Sequence, residues 1–176
     1  MKLCKIIHYL IILRRQENYI NDLSLNMSIE KDIKQKIFRN PFHKLTINIM
    51  FTNGWLLNKY AKILKPYNLT DQQFKVLRIL RESYPQACTV NYIIEGMIDK
   101  MSNVSRLVDK LVAKKLAIKV KSIYDLRSVN IVLTEKGKLL TEELNKVVDQ
   151  YENSFFGLEE TENTLLKDLL ERLKIH

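Results

Sequence analysis

The chain has 176 residues but only four glycines, three prolines, two cysteines and one tryptophan. So few glycines and prolines leave little room for long structureless connections. Cys4 and Cys88 cannot build a disulfide framework. No third cysteine or histidine stands near either at metal-ligand spacing, and His8, His43 and His176 are scattered, so no metal and no cofactor is expected. Two isolated cysteines fit a reducing, cytoplasmic setting. Long apolar runs are also missing. Ile6–Leu13 covers eight residues before Arg14 and Arg15, against roughly 20 for a membrane span. No small-residue cleavage site follows it, as a signal peptide would require. Residues 1–26 therefore read as a dispensable extension ahead of Met27. There is no glycine-rich phosphate loop, no metal constellation and no nucleophile paired with a base, so an enzyme is not expected.

Positive charge, by contrast, is abundant and unevenly spread. The net charge is +9. Residues 1–50 carry +5, 51–84 carry +4 and 85–140 carry +5, whereas 141–176 carry −5. Lysine and arginine displace the counterions condensed on phosphates, so a basic surface suits a polyanion. A generic solubilising surface is the plainer reading of charge alone. The apolar fraction of 46% suffices for a buried core.

Periodicity divides the chain. Asn40 as a cap and Pro41 at the first helical position open a helix over 39–65, with Gly54 as a candidate kink and Pro66 as the stop. Thr70 and Gln73 form a Thr-x-x-Gln capping box for a second helix, whose stripe is Phe74, Val76, Leu77 and Leu80. Thr89 caps a short helix with Val90, Ile93, Ile94 and Met97 inward. A third helix is expected over 98–117, with Asp99 as its cap. Ile118 and Val120 alternate with Lys119 and Lys121, and Val129, Ile131 and Leu133 alternate likewise, which predicts a β-hairpin around 122–128. Helices return over 134–156, through Leu139, Leu140, Leu144, Val147, Val148 and Tyr151, and over 158–175, with Leu165, Leu166, Leu169, Leu170 and Leu173. The fold class is mainly α with a small β-hairpin wing, a winged helix-turn-helix. Residues 1–26 are the extension, 27–66 N-terminal dimerisation helices, 67–137 the winged domain and 138–176 C-terminal dimerisation helices. The large apolar faces of the flanking helices call for a partner chain, most simply a two-fold copy.

The third helix buries Val104, Leu107, Val108, Leu111 and Val112 and turns Ser102, Asn103, Ser105, Arg106, Lys110 and Lys114 outward. Asparagine can bond adenine through two atoms and arginine guanine, while serine reaches phosphates. A solvated outer face is the plain alternative. Arg127, in the ribbon, can enter a narrow minor groove, with Asp125 two residues earlier orienting its guanidinium. A surface ion pair in a turn is the plain alternative there. Lys119 and Lys121 add phosphate-reaching charge on the exposed face of the first strand.

The segments "LTDQQFKVLRIL" (69–80), "DKMSNVSRLVDKLVAKKLAIK" (99–119) and "YDLRSVNIVLTEKGKLL" (124–140) resemble the multiple-antibiotic-resistance regulator (MarR) family over roughly 40–175. The resemblance implies a homodimeric winged-helix repressor on a near-palindromic stretch of double-stranded DNA. The helix matching 100–114 would read the major groove and Arg127 the minor groove. It also implies small aromatic acids as effectors, for which Phe51, Trp55, Tyr60 and Tyr67 are candidate cleft residues; core packing is their simpler reading. Two departures stand out. Leu126 replaces a second basic residue in the wing, and Gly96 lies earlier than the family's usual turn glycine. Redox sensing through Cys88, beside the helix start at Thr89, is a minor alternative to plain burial. A dimeric winged scaffold that binds proteins rather than DNA is the competing function, since fold alone does not fix function.

Overall fold

The computed structural model describes residues 29–34, 37–98, 103–121, 129–155 and 157–174. The extension (1–26), Asp99, Ser102, Asp125 and Arg127 lie outside the described residues. Among those described there are seven α-helices and three strands. In chain order they are α1 (Ile29–Asp32), α2 (Pro41–Leu64), α3 (Asp71–Ser83), β1 (Cys88–Thr89), α4 (Val90–Gly96), α5 (Val104–Ala113), β2 (Ala117–Lys121), β3 (Val129–Leu133), α6 (Glu135–Phe155) and α7 (Glu160–Arg172). A 3-10 turn, Lys65–Tyr67, follows α2. The chain divides into two compact units, 1–56 and 57–176.

The first unit holds α1 and most of α2. Asn40 caps α2 as its sequence predicts: its Oδ1 accepts the His43 amide at 2.8 Å. The helix runs unbroken through Gly54 to Leu64. Lys44 pairs with Glu30 of α1 at 2.6 Å. Phe42, Leu45, Ile49, Met50, Phe51 and Trp55 of this unit are all exposed apolar residues.

The second unit contains the core. Phe74, Val76, Leu77 and Leu80 of α3, Ile93 of α4, Val104, Leu107, Val108 and Leu111 of α5, Ile131 and Leu133 of β3, and Leu144 and Val148 of α6 are buried together. Asn68 makes the reversal into α3 with φ 54°, the left-handed region that asparagine tolerates. The predicted capping box is present: Thr70 Oγ1 accepts the Gln73 amide, and Gln73 Oε1 accepts the Thr70 amide. Thr89 Oγ1 accepts the Tyr92 amide and starts α4.

Four details depart from the sequence reading. The third helix is shorter than 98–117: its described part begins at Val104, with Asn103 at the cap position and no side-chain cap bond. It stops because Lys115 turns left-handed at φ 61°. The Lys115 amide then bonds Val112 O and the Leu116 amide bonds Leu111 O, the bond pair of a Schellman turn, with Leu111 and Leu116 both buried. A third strand exists, because Cys88 and Thr89 pair with Ile131 and Asn130. The phase of β2 is the reverse of that expected. Ala117, Lys119 and Lys121 pair with Leu133, Ile131 and Val129 and share their face, while Ile118 lies opposite, 47% exposed. Ala117 seated against Leu133 in the core sets that register, and a one-residue phase sends every side chain to the other face. Finally, Leu139 and Tyr151 of α6 are exposed rather than inward; fully buried Thr141 takes part of that face, donating to Gly137 O at 2.7 Å.

The "LTEKG" segment has a structural explanation. Thr134 Oγ1 accepts the Gly137 amide at 3.0 Å, capping α6. The same hydroxyl donates toward the carbonyls of Lys115 and Leu116, at 2.9 and 3.0 Å. A Cβ on Gly137 would stand 2.1 Å from Leu116 O, so only glycine lets α6 start this close to the end of α5. Gly137→Ala should therefore destabilise the fold by about 1–3 kcal/mol, the usual cost of overpacking, and a lowered urea midpoint with an unchanged slope would register it.

Candidate nucleic-acid interface

The orientation of α5 follows from its apolar side. Val104, Leu107, Val108 and Leu111 are buried at i, i+3, i+4 and i+7. That leaves Ser105, Arg106, Asp109 and Lys110 exposed on the opposite side. Three of the six α5 residues expected to face outward therefore do so on the helix itself.

The other three differ. Asn103 is half-buried, and its Oδ1 is a buried acceptor with no hydrogen-bond partner among the described residues. Its carbonyl oxygen accepts the amides of Arg106 and Leu107. Lys114 is drawn away from solvent, its ammonium donating to Asn68 O and, at 3.2 Å, to Gln73 Oε1. Burial, and secondarily Lys110 one turn back, hold the Lys114 pKa below the usual lysine value. Ser102 lies outside the described residues.

On the sheet, Lys119 and Lys121 are both exposed. Lys119 Nζ stands 2.5 Å from Asp109 Oδ1 of α5. The sequence reading passed over Asp109. Its signal was present: it falls at i+3 from Arg106 and i+4 from Ser105, inside the outward face.

The four aromatics of the expected effector cleft divide between the two units. Phe51 and Trp55 belong to the first and are partly exposed. Tyr60 and Tyr67 belong to the second and pack partly buried against the core. Their hydroxyls donate to glutamates of α6, Tyr60 to Glu152 and Tyr67 to Glu143 at 3.0 Å. Burial and the Glu152 bond push the Tyr60 pKa well up, and the Glu143 bond raises that of Tyr67. A separate cleft of about 580 Å3, between α5 and the corner joining α2 to α3, is lined by Lys65, Asn68, Gln73, Lys110 and Lys114, and by none of these aromatics.

Cys88 is buried and free. Among the described residues no cluster of His, Cys, Asp and Glu could hold a metal ion, and no helix is long and apolar enough to cross a membrane.

No protein-family model matches the chain. Individual relatives do. The transcriptional regulator FarR of Neisseria gonorrhoeae is 28% identical over 138 residues, 73% of this chain and 88% of that protein. The transcriptional regulator PecS of Dickeya dadantii is 30% identical over 120 residues, 65% of this chain and 70% of that protein. Among solved structures, the Staphylococcus aureus MepR–DNA complex is similar with a TM-score of 0.66 at 25% identity, over 73% of this chain and 94% of MepR. The relatives and the fold agree with the three motif segments: the chain belongs to the MarR family of winged helix-turn-helix transcriptional regulators.

Proposed function

We propose that this regulator binds double-stranded DNA in a sequence-dependent way, as a homodimer on a near-palindromic operator, and acts by repression. The observation that carries the reading is the outward face of α5. A helix whose apolar side is fully committed to the core presents Ser105, Arg106 and Lys110 to solvent. Such a face fits a major groove, where an arginine fork meets guanine and a serine or lysine meets phosphate. Ser102 and Asn103, next to that helix in sequence, complete the set of contacts in this reading. Lys121 continues the positive charge onto β2. Asp125 and Arg127 belong, by sequence, to the segment joining β2 to β3, and Arg127 is the minor-groove contact of this reading. MepR, a relative in fold, was crystallised with DNA.

Dimerisation rests on uncovered apolar surface. Leu165, Leu166, Leu169, Leu170 and Leu173 at the C-terminal end are between 41 and 60% exposed. Their i, i+1, i+4, i+5 and i+8 spacing makes one continuous stripe along α7. Phe42, Leu45, Ile49, Met50, Phe51, Trp55 and Leu57 of α2 form a second uncovered set. Stripes of this size are normally closed by another chain, and a two-fold pair is the commonest closure. In this assignment 27–66 and 138–176 dimerise and 67–137 contacts DNA. Release by a small aromatic acid is its finest part. A protein-binding winged scaffold is the competing reading, and DNA affinity decides between them.

Arg106→Ala and Arg127→Ala should each weaken operator binding by about 1–3 kcal/mol, with relaxed discrimination at one base position. Fluorescence anisotropy on a duplex from the promoter of its own gene measures this; wild-type affinity in both variants would overturn the residue assignment. Leu166→Glu combined with Leu169→Glu should give a monomer in sedimentation equilibrium and lose specific binding. A variant that remains a dimer would remove α7 from the interface.

A further inference from the structure

A carboxylate on a surface that approaches phosphates works against binding, and Asp109 is the single acid of α5. It stands among the residues of the outward face, three positions after Arg106 and next to Lys110. Its partner is not on its own helix. Asp109 Oδ1 lies 2.5 Å from Nζ of Lys119, in β2. The reversed phase of the strand makes this contact available. Lys119 pairs with Ile131, which is fully buried, so it leaves the sheet on the core side, where α5 packs. Had the strand held the opposite phase, Lys119 would have stood on the outer face beside Val132, away from Asp109.

The pair contributes little to folding. The two side chains are 45 and 58% exposed, Lys119 and Asp109 respectively, and ion pairs in such surroundings add almost nothing to stability. Its effect falls instead on charge at the surface that meets the duplex. Sequence-independent affinity is set by how many phosphates the protein neutralises, because each one releases condensed counterions. A lysine already neutralised by an aspartate does not enter that count.

We infer that Asp109 is a built-in counter-charge that withholds Lys119 from the DNA backbone, lowering affinity for arbitrary duplexes and so sharpening the preference for the operator. The inference rests on the DNA-binding reading above. It gives Lys119 a role opposite to that of a phosphate contact. Arg106 and Ser105 still reach the groove, and Lys121 keeps its charge, while Lys119 alone on β2 is neutralised. Specificity is a ratio of affinities, and suppressing the denominator raises it as surely as a new base contact does.

The test is a cycle of full-length proteins: wild type, Asp109→Asn, Lys119→Gln and the double variant. Each is titrated by anisotropy against the promoter duplex and against a scrambled duplex of equal length and composition, across a salt series. Both side chains are about half exposed and neither belongs to the core, so polar replacements of similar size leave the packing in place. Asp109→Asn should bind the scrambled duplex several-fold more tightly, and its slope of log affinity against log salt should steepen by about 0.9, one further phosphate. Lys119→Gln alone should leave the slope unchanged. The double variant should return to the wild-type slope and the wild-type affinity for scrambled DNA. An Asp109→Asn slope equal to wild type overturns the inference. So does a tightening that persists in the double variant, since the carboxylate would then act without Lys119. A flatter slope in Lys119→Gln overturns it as well, because Lys119 would then be a phosphate contact in the native protein. Absence of salt-dependent binding in the wild type is a different failure, that of the DNA-binding reading itself.

Discussion

Four apolar side chains decide what this protein can touch. Val104, Leu107, Val108 and Leu111 of α5 pack into a core shared with α3, β3 and α6. Fully burying such a side chain contributes on the order of 1.5–3 kcal/mol, so the rotation of α5 about its own axis is strongly fixed. Once it is fixed, Ser105, Arg106, Asp109 and Lys110 have nowhere to point but outward. The outward face is thus a by-product of packing, and no polar contact is needed to aim it. The same core holds Ile131 and Leu133, and through them the register of β2 and the position of Lys119.

Besides Leu144 and Val148 in that core, α6 makes polar contacts through its acidic side chains. Tyr84 donates to Glu135 at 2.9 Å, Tyr67 to Glu143, and Tyr60 to Glu152, while Arg81 grips Glu142. The Tyr84 and Lys138 bonds hold the Glu135 carboxyl below its usual range, Lys138 having the larger effect. Much of the negative charge of residues 141–176 on α6 is therefore engaged with neighbours inside the second unit. This explains how an acidic segment coexists with a basic one in a single fold.

The sequence disclosed the long elements well. Asn40 with Pro41, the Thr70–Gln73 box and the cap at Thr89 mark helix starts by chemistry as well as by period, and all three helices begin there. The β3 limits were equally clear, because Val129, Ile131 and Leu133 alternate over five positions, although only Ile131 and Leu133 are buried and Val129 is exposed. What stayed hidden was set by distant partners. Two residues, Cys88 and Thr89, carry no readable alternation, and they become a strand only by meeting β3. The phase of β2 was misread because Ile118 and Val120 are its more apolar residues. Small Ala117 wins the inward place, since the space beside Leu133 admits it. Asp109 escaped notice for a related reason: its meaning depends on Lys119, ten positions away and on a different element. Of the candidate contacts, Ser105, Arg106 and Lys110 are exposed on the expected side of α5, Lys119 and Lys121 are exposed but on the opposite face of β2 from the one expected, and Asn103 is half-buried.

The junction of Thr134, Gly137 and Leu116 has a mechanical consequence. One hydroxyl serves both the first turn of α6 and the carbonyls that follow α5, and no side chain can intrude between them. A slack connection would absorb a shift of α6 in its own loop. This one has no slack, so α6 behaves as a lever arm whose short end is fastened beside α5, and any swing of the long end is delivered there as tilt.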